Sequence, residues 1–262
     1  MRSNIGSYWN DYYSTSGTIS YPSQFAAFVL GEIGEIRNVV DIGCGSGRDC
    51  FFFSNFNLSV IGVDASKSAI EACNVQRERC RDDRSHFIES SIADSNFVSL
   101  IRSRSPGIEK GPTLIYSRFF LHAIEQDDQD AFFEASSSLI NGNGMLALEF
   151  RTEKDASQKK LSKPHYRRFL KTSDVICQLA RFGLATTYFT EGFGLAKHKQ
   201  EDPHIARLIA CPIVRNGGVR PDEASTVETK QQRNRVEVAS PSHRELTERS
   251  LGVESPPAWI SS

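Results

Sequence analysis

The sequence carries almost no net charge: 31 Lys and Arg stand against 32 Asp and Glu, a formal −1 at neutral pH. A chain so balanced has no global field drawing it onto nucleic acid or an anionic membrane, so neither partner is expected. There is no apolar run of about 18 residues or more, which excludes a spanning helix on length. The N-terminus lacks a basic stretch followed by an apolar one. The six cysteines (44, 50, 73, 80, 177 and 211) include no C-x-x-C pair. We expect reduced thiols, most of them in the core, a cytoplasmic location and no metal site.

What is present divides the chain in two. From residue 36 to 213, short β-rich apolar runs alternate with helical patterns, which argues for parallel strands joined by crossover helices. The strand candidates are 38–42, 58–63, 85–89, 113–117, 145–150, 185–190 and 204–211. Helical patterns cover 68–81 and 127–140, and a further helix begins at Thr172 or Ser173 as cap and stops at Gly183. The last two strands are joined by a segment too short for a crossover helix, so an antiparallel return is expected. Residues 214–262 are polar, rich in Ser, Glu and Arg, and lack a periodic apolar face; we expect a tail that stays unfolded. Residues 1–35 carry the aromatic run YWNDYY ahead of the first strand. That run suits either a helical lid or a packing edge.

The strongest motif is VVDIGCGSGRD. A buried strand ends in Asp41, after which Gly43, Gly45 and Gly47 let the backbone turn tightly and approach a ligand before a helix begins near Arg48. A second strand then ends in VIGVDAS, which puts Asp64 where a carboxylate accepts hydrogen bonds from ribose hydroxyls. A dinucleotide would set its pyrophosphate against this loop, and Asp41 would repel it. S-adenosylmethionine instead offers an ammonium and a sulfonium, which a carboxylate attracts.

These two stretches together resemble motifs I and II of the class I S-adenosylmethionine-dependent methyltransferases. The resemblance spans roughly residues 5 to 213. It implies an α/β, Rossmann-like seven-stranded sheet, mostly parallel with an antiparallel last strand and helices on both faces. It further implies that Asp41, Gly43, Cys44, Gly45 and Gly47 hold the methionine end of S-adenosylmethionine, that Asp64 holds the ribose and that Ala65 flanks the adenine. Where many relatives carry an acid for the adenine amino group this chain has ESSIAD, with Ser91 at that position. The contact then falls to Ser91, Ile92 or Asp94.

The fourth strand runs into YSRFFLHAI, and its carboxyl end lies beside the transferable methyl in such a fold. Arg118 and His122 therefore line the acceptor site or the methionine carboxylate; otherwise Arg118 pairs with a surface acid and His122 caps a helix. Both are candidate catalytic residues, with His122 as base for a neutral hydroxyl. After the fifth strand, residues 151–168 hold seven Lys or Arg against Glu153 and Asp155. Arg151, His165, Tyr166, Arg167 and Arg168 are candidates for binding an anionic acceptor, unless the run is merely a solvated loop.

Several phrases, among them ALEFRTEKD and HYRRF, also resemble a subgroup linked to bacterial surface polysaccharide assembly. That suggests O-methylation of a small or glycan-linked acceptor in polysaccharide biosynthesis. The loop GCGSGRD is similar as well to tellurite- and thiopurine-type detoxifying methyltransferases. From another class, an inactive cofactor-binding regulatory subunit fits the same motifs.

Overall fold

β1 (Asn38–Ile42) is buried along its whole length, and its side chains leave in alternate directions. Val39 packs in a cluster with Phe25, Val29 and Val60, whereas Val40 and Ile42 pack in another with Ile61, Phe132 and Leu146. A strand that finds apolar partners on both sides must be sandwiched between helices. A computed structural model of the chain describes residues 2–15, 21–105, 107–108, 110–158, 160, 165–198 and 200–213.

The remaining strands are β2 (Ser59–Asp64), β3 (Ser85–Glu89), β4 (Thr113–Arg118), β5 (Gly144–Arg151), β6 (Leu184–Gly192) and β7 (Ile205–Pro212). They form one sheet in the order β3-β2-β1-β4-β5-β7-β6. β1 to β5 pair in parallel, while β7 lies antiparallel between β5 and β6. The expected reversal of the last strand is therefore present, and each expected strand lies within a residue or two of its observed span.

α2 (Gln24–Glu32), α3 (Arg48–Ser54) and α4 (Lys67–Cys80) supply Phe25, Val29, Cys50, Phe53 and Ile70 to the cluster on one face. α5 (Phe97–Arg104), α6 (Gln126–Ile140) and α7 (Thr172–Arg181) supply Phe97, Ile101, Phe132, Phe133, Val175 and Leu179 to the other. α1 (Arg2–Thr15) precedes them. None of these helices is long and apolar enough to cross a membrane. Connections leave β1 toward β2 on one side and arrive at β4 on the other, so the crevice above their carboxyl ends is the switch point where α/β sheets bind ligands.

One expectation fails at α7. Its cap position is Lys171, with no side-chain cap, and the Thr172 hydroxyl instead donates to Glu191 Oε2 at 2.6 Å. Gly183 does follow the helix with φ +77. The polar tail from 214 onward, and Lys159 and Lys163 of the basic run, lie outside the described residues.

Candidate active site

After β1 the chain needs conformations that favour glycine: φ is +79 at Gly43, +54 at Gly45 and +75 at Gly47. The Gly43 and Cys44 N–H groups both donate to Val63 O, at 2.8 and 3.1 Å, folding the loop back onto β2. At Gly45 a Cβ would stand 2.3 Å from the Tyr13 hydroxyl of α1. At Gly47 it would meet Cys73 Sγ and Phe51 at 3.0 Å. Gly47 thus lets α3 start close against α4 and β3, and it does not line the cavity that opens at this loop. That cavity has a volume of about 460 Å³, with Asp41, Gly43, Cys44, Gly45, Asp64, Ala65, Ser91 and Ile92 in its wall.

Two carboxyls face this end. Asp64 Oδ2 accepts from Gly45 N at 2.9 Å and Oδ1 from Ser66 N at 2.8 Å, so it staples the glycine loop to the end of β2. The carboxylate retains acceptor capacity beyond these bonds. Burial raises the Asp64 pKa against the pull of these N–H groups. Asp41 is 3% exposed and accepts from the Cys50 thiol at 3.2 Å, a weak donor. Burial first, and then the charge of Asp49, push it up to about 8, with Cys50 and Arg118 opposing. Asp94 turns away: it accepts from Ser90 Oγ and Ser91 N, both at 2.8 Å, and closes a turn outside the cavity wall.

At the end of β4, Arg118 is held between two carboxylates. Its Nε donates to Asp49 Oδ2 at 3.2 Å and its Nη1 to Glu149 Oε1 at 3.5 Å. Asp49, in the first turn of α3, also accepts from Ser23 N and Oγ (2.8 Å each) and from Tyr116 hydroxyl (2.9 Å). Burial alone would raise the Asp49 pKa, but Arg118, Arg48 and the Ser23 bonds hold it below the usual carboxylate range. Phe119 follows with φ +58, strained for an aromatic residue, and the Arg118 and Arg151 guanidiniums lie 4.7 and 5.5 Å from its ring centre.

His122 is buried, and its Nδ1 accepts from Arg151 N at 3.4 Å. That contact puts the ring proton on Nε2. Burial, then Arg151, Arg167, His165 and Arg118, lower its pKa well below 6.5. The imidazole is neutral and weakly basic, which suits a hydrogen-bond donor better than the expected base.

The end of the cavity away from the glycine loop is closed by side chains far apart in sequence. From α1, Tyr8 stacks on His165 with ring centres 4.3 Å apart, and Trp9 meets the same ring edge-on at 5.4 Å. Arg167 Nη2 lies 3.0 Å from His165 Nε2. Arg151 is clamped by Asp155 Oδ2 at 2.8 Å and Glu201 Oε1 at 2.7 Å. Of the residues expected here, Arg118, His122, Arg151, His165 and Arg167 line the cavity; Tyr166 and Arg168 do not. Arg168 bonds Ile124 O at 3.3 Å and Gln126 Oε1 at 2.5 Å, securing the start of α6. Sequence reasoning missed Asp49, Phe119 and Glu201. Asp49 had a signal, an acid in the first helical turn after a glycine loop, whereas Phe119 and Glu201 had none.

Residues 40–146 match the family model described as a methyltransferase domain. No curated protein matches the chain in sequence. Among solved structures, an S-adenosylmethionine-dependent methyltransferase from Anabaena variabilis is similar with TM-score 0.61 and 18% identity, covering 80% of this chain and 94% of that one. The CcbJ methyltransferase from Streptomyces caelestis gives 0.58 and 11%, covering 80% and 98%. A TehB-like methyltransferase from Corynebacterium glutamicum gives 0.52 and 14%, covering 80% and 97%. At these identities the structural likenesses establish the fold.

Proposed function

We propose, for a chain that is a class I S-adenosylmethionine-dependent methyltransferase, that the methyl acceptor is a small or glycan-linked molecule bearing a negative charge and methylated on oxygen. The observation that carries this reading is the continuity of one cavity from Asp64 and Gly45 to Arg151, His165 and Arg167. The residues present fit the cofactor. Asp41 is a buried carboxyl facing the cavity with only a weak thiol donor on it, a seat that a cationic group completes. When bound, S-adenosylmethionine supplies an electrophilic methyl group on a positively charged sulfur.

In this reading Asp41, with the loop at Gly43, Cys44 and Gly45, holds the methionine end. Asp64 receives the ribose hydroxyls on its remaining acceptor sites, and Ala65, Ser91 and Ile92 border the adenine. Arg118 is fixed by Asp49 and Glu149, and so presents a rigid edge beside the reacting groups. Near the acceptor, Arg151, Arg167 and Lys160 face Asp155 and Glu201, a cluster with more cations than carboxylates. A weakly basic His122 cannot readily deprotonate a neutral hydroxyl, which favours an acceptor oxygen that arrives ionised. Its Nε2–H then steadies that oxygen, and α1 covers the site against water.

Calorimetry with S-adenosylmethionine and its demethylated product, followed by transfer of labelled methyl to sugar acids, phosphorylated sugars and their neutral counterparts, tests the proposal. The expected result is label on the anionic set. Label on neutral compounds alone would overturn it.

A further inference from the structure

Two guanidiniums of the cavity, Arg118 and Arg151, are neutralised in different ways. Arg118 is paired to Asp49 and Glu149, which are 5% and 2% exposed and sit on a helix and a strand. Glu149 is further tied to Arg207 Nε at 2.8 Å, and Asp49 to Ser23 and Tyr116. Neither carboxylate can leave without breaking several bonds. Arg151 has one partner of that kind: Asp155 is wholly buried, bound also by Lys160 Nζ at 2.6 Å and by His204 N at 3.1 Å. Its other partner is Glu201, on the connector between β6 and β7, with a side chain 21% exposed. The Glu201 backbone is held apart from its carboxylate, by paired bonds with His198 at 2.9 and 3.0 Å. The carboxylate can therefore swing without unravelling the connector.

Glu201 and Arg151 both border the cavity, as do His122, His165 and Arg167. We propose that Glu201 occupies the seat of the acceptor's carboxylate: the acceptor is a carboxylic acid, and on binding it replaces Glu201 on Arg151 Nη2. This rests on the anionic-acceptor reading above and narrows it. The exchange is charge for charge, one carboxylate for another, so Arg151 never stands unpaired in a buried site. A phosphate dianion would bring a second charge, which only the surplus cation of the cluster could meet, and the phosphate probe below separates the two cases. Beside the seat, the stacked Tyr8 and His165 rings give the body of the acid an apolar wall. Glu201 is then a built-in competitor, and the acceptor's affinity is lowered by the fraction of molecules in which the latch is closed.

The experiment uses the full chain saturated with S-adenosylhomocysteine and three probes: benzoate, its neutral counterpart benzamide, and inorganic phosphate. Binding is followed by calorimetry in the parent and in Glu201→Gln, with Glu201→Ala as second variant. The expected result is that both variants bind benzoate roughly tenfold more tightly than the parent, with benzamide unchanged and S-adenosylhomocysteine affinity unaltered. Equal or weaker benzoate binding in both variants would overturn the inference. A larger gain for phosphate than for benzoate would overturn the assignment to carboxylates. If the latch fails in this way while labelled methyl still goes to anionic acceptors, the proposed function stands alone. If methyl goes only to neutral acceptors, both fall together.

Discussion

At the glycine-loop end of the cavity, the polar groups come from the strand-to-loop junctions within residues 41–66 and from Ser91 after β3; at the opposite end they come from Tyr8, Arg118, His122, Arg151, His165, Arg167 and Glu201. The first region is made largely of backbone: left-handed glycines, N–H groups on Asp64, and a loop pinned to Val63 O. The second is made of side chains: Arg118 is set against Asp49 and Glu149, and Arg151 against Glu201, all from distant elements, with Asp155 a local partner. Backbone geometry demands particular residues at fixed spacing. An ion-pair network demands only that charges meet in space, and a sequence does not display that.

Asp64→Ala should break the contrast most sharply. It removes the bonds from Gly45 N and Ser66 N and the proposed ribose seat, so cofactor affinity is expected to fall by about 3 kcal/mol, or roughly 100-fold. Arg151→Lys should leave that affinity within about twofold, because it lies at the other end. Calorimetry on both variants decides whether the ends are independent.

Next comes pH. The folded Asp41 pKa, about 8, exceeds its ordinary value of 3.8, so the empty protein holds this proton more tightly than the unfolded chain does. Its contribution to stability is complete below about pH 4 and is lost as pH rises through 8. A cationic cofactor prefers the carboxylate, so the opposite holds for binding: affinity should rise by up to about tenfold per pH unit between pH 6 and 8. The Tm of the empty protein should fall over the same window, and cofactor should offset the fall. A cofactor affinity flat across that window would mean that Asp41 does not touch a cationic group.

Gly45→Ala is expected to cost roughly 1–2 kcal/mol in chemical denaturation, from a side chain at positive φ. It should also push Tyr13 and α1 away, which reduced protection of α1 from hydrogen exchange would report. Smaller still is Phe119→Gly. Relief of a strained φ offsets lost ring contacts, so stability should stay within about 1 kcal/mol of the parent while methyl transfer falls. Smallest is ending the chain at residue 213, which on composition should shift Tm by no more than about 2–4 °C.

How much could be read in advance follows the same division. The strands 38–42 and 85–89 coincide with β1 and β3, because short β-rich runs bounded by turn residues are local signals. So are the glycine loop and Asp64. The basic run after β5 was legible as charge and not as geometry: Arg151 and Arg167 turn to the cavity, whereas Arg168 goes to Ile124 and Gln126. Periodicity does not say which way a residue in an irregular segment points. The N-terminal aromatic run showed its composition, but its stack on His165 joins residues more than 150 positions apart. Asp49, one residue past the expected helix start, drew no reading of its own, although five donors converge on it.

Because β7 is inserted antiparallel between β5 and β6, the segment from 193 to 204 is the tip of a hairpin at one margin of the sheet. It is not a crossover that the sheet depends on. Leu195 O holds Arg207, and His204 holds Thr152 and Asp155, so what can change without altering the register Glu149↔Arg207 is the part of the tip between them. Of the residues that line the cavity this tip supplies Glu201, so in the proposed reading it sets the charge opposite Arg151. Altering the tip between Leu195 and His204 is expected, in the proposed reading, to change which acceptor is methylated, while the glycine loop, Asp41 and Asp64 remain as they are.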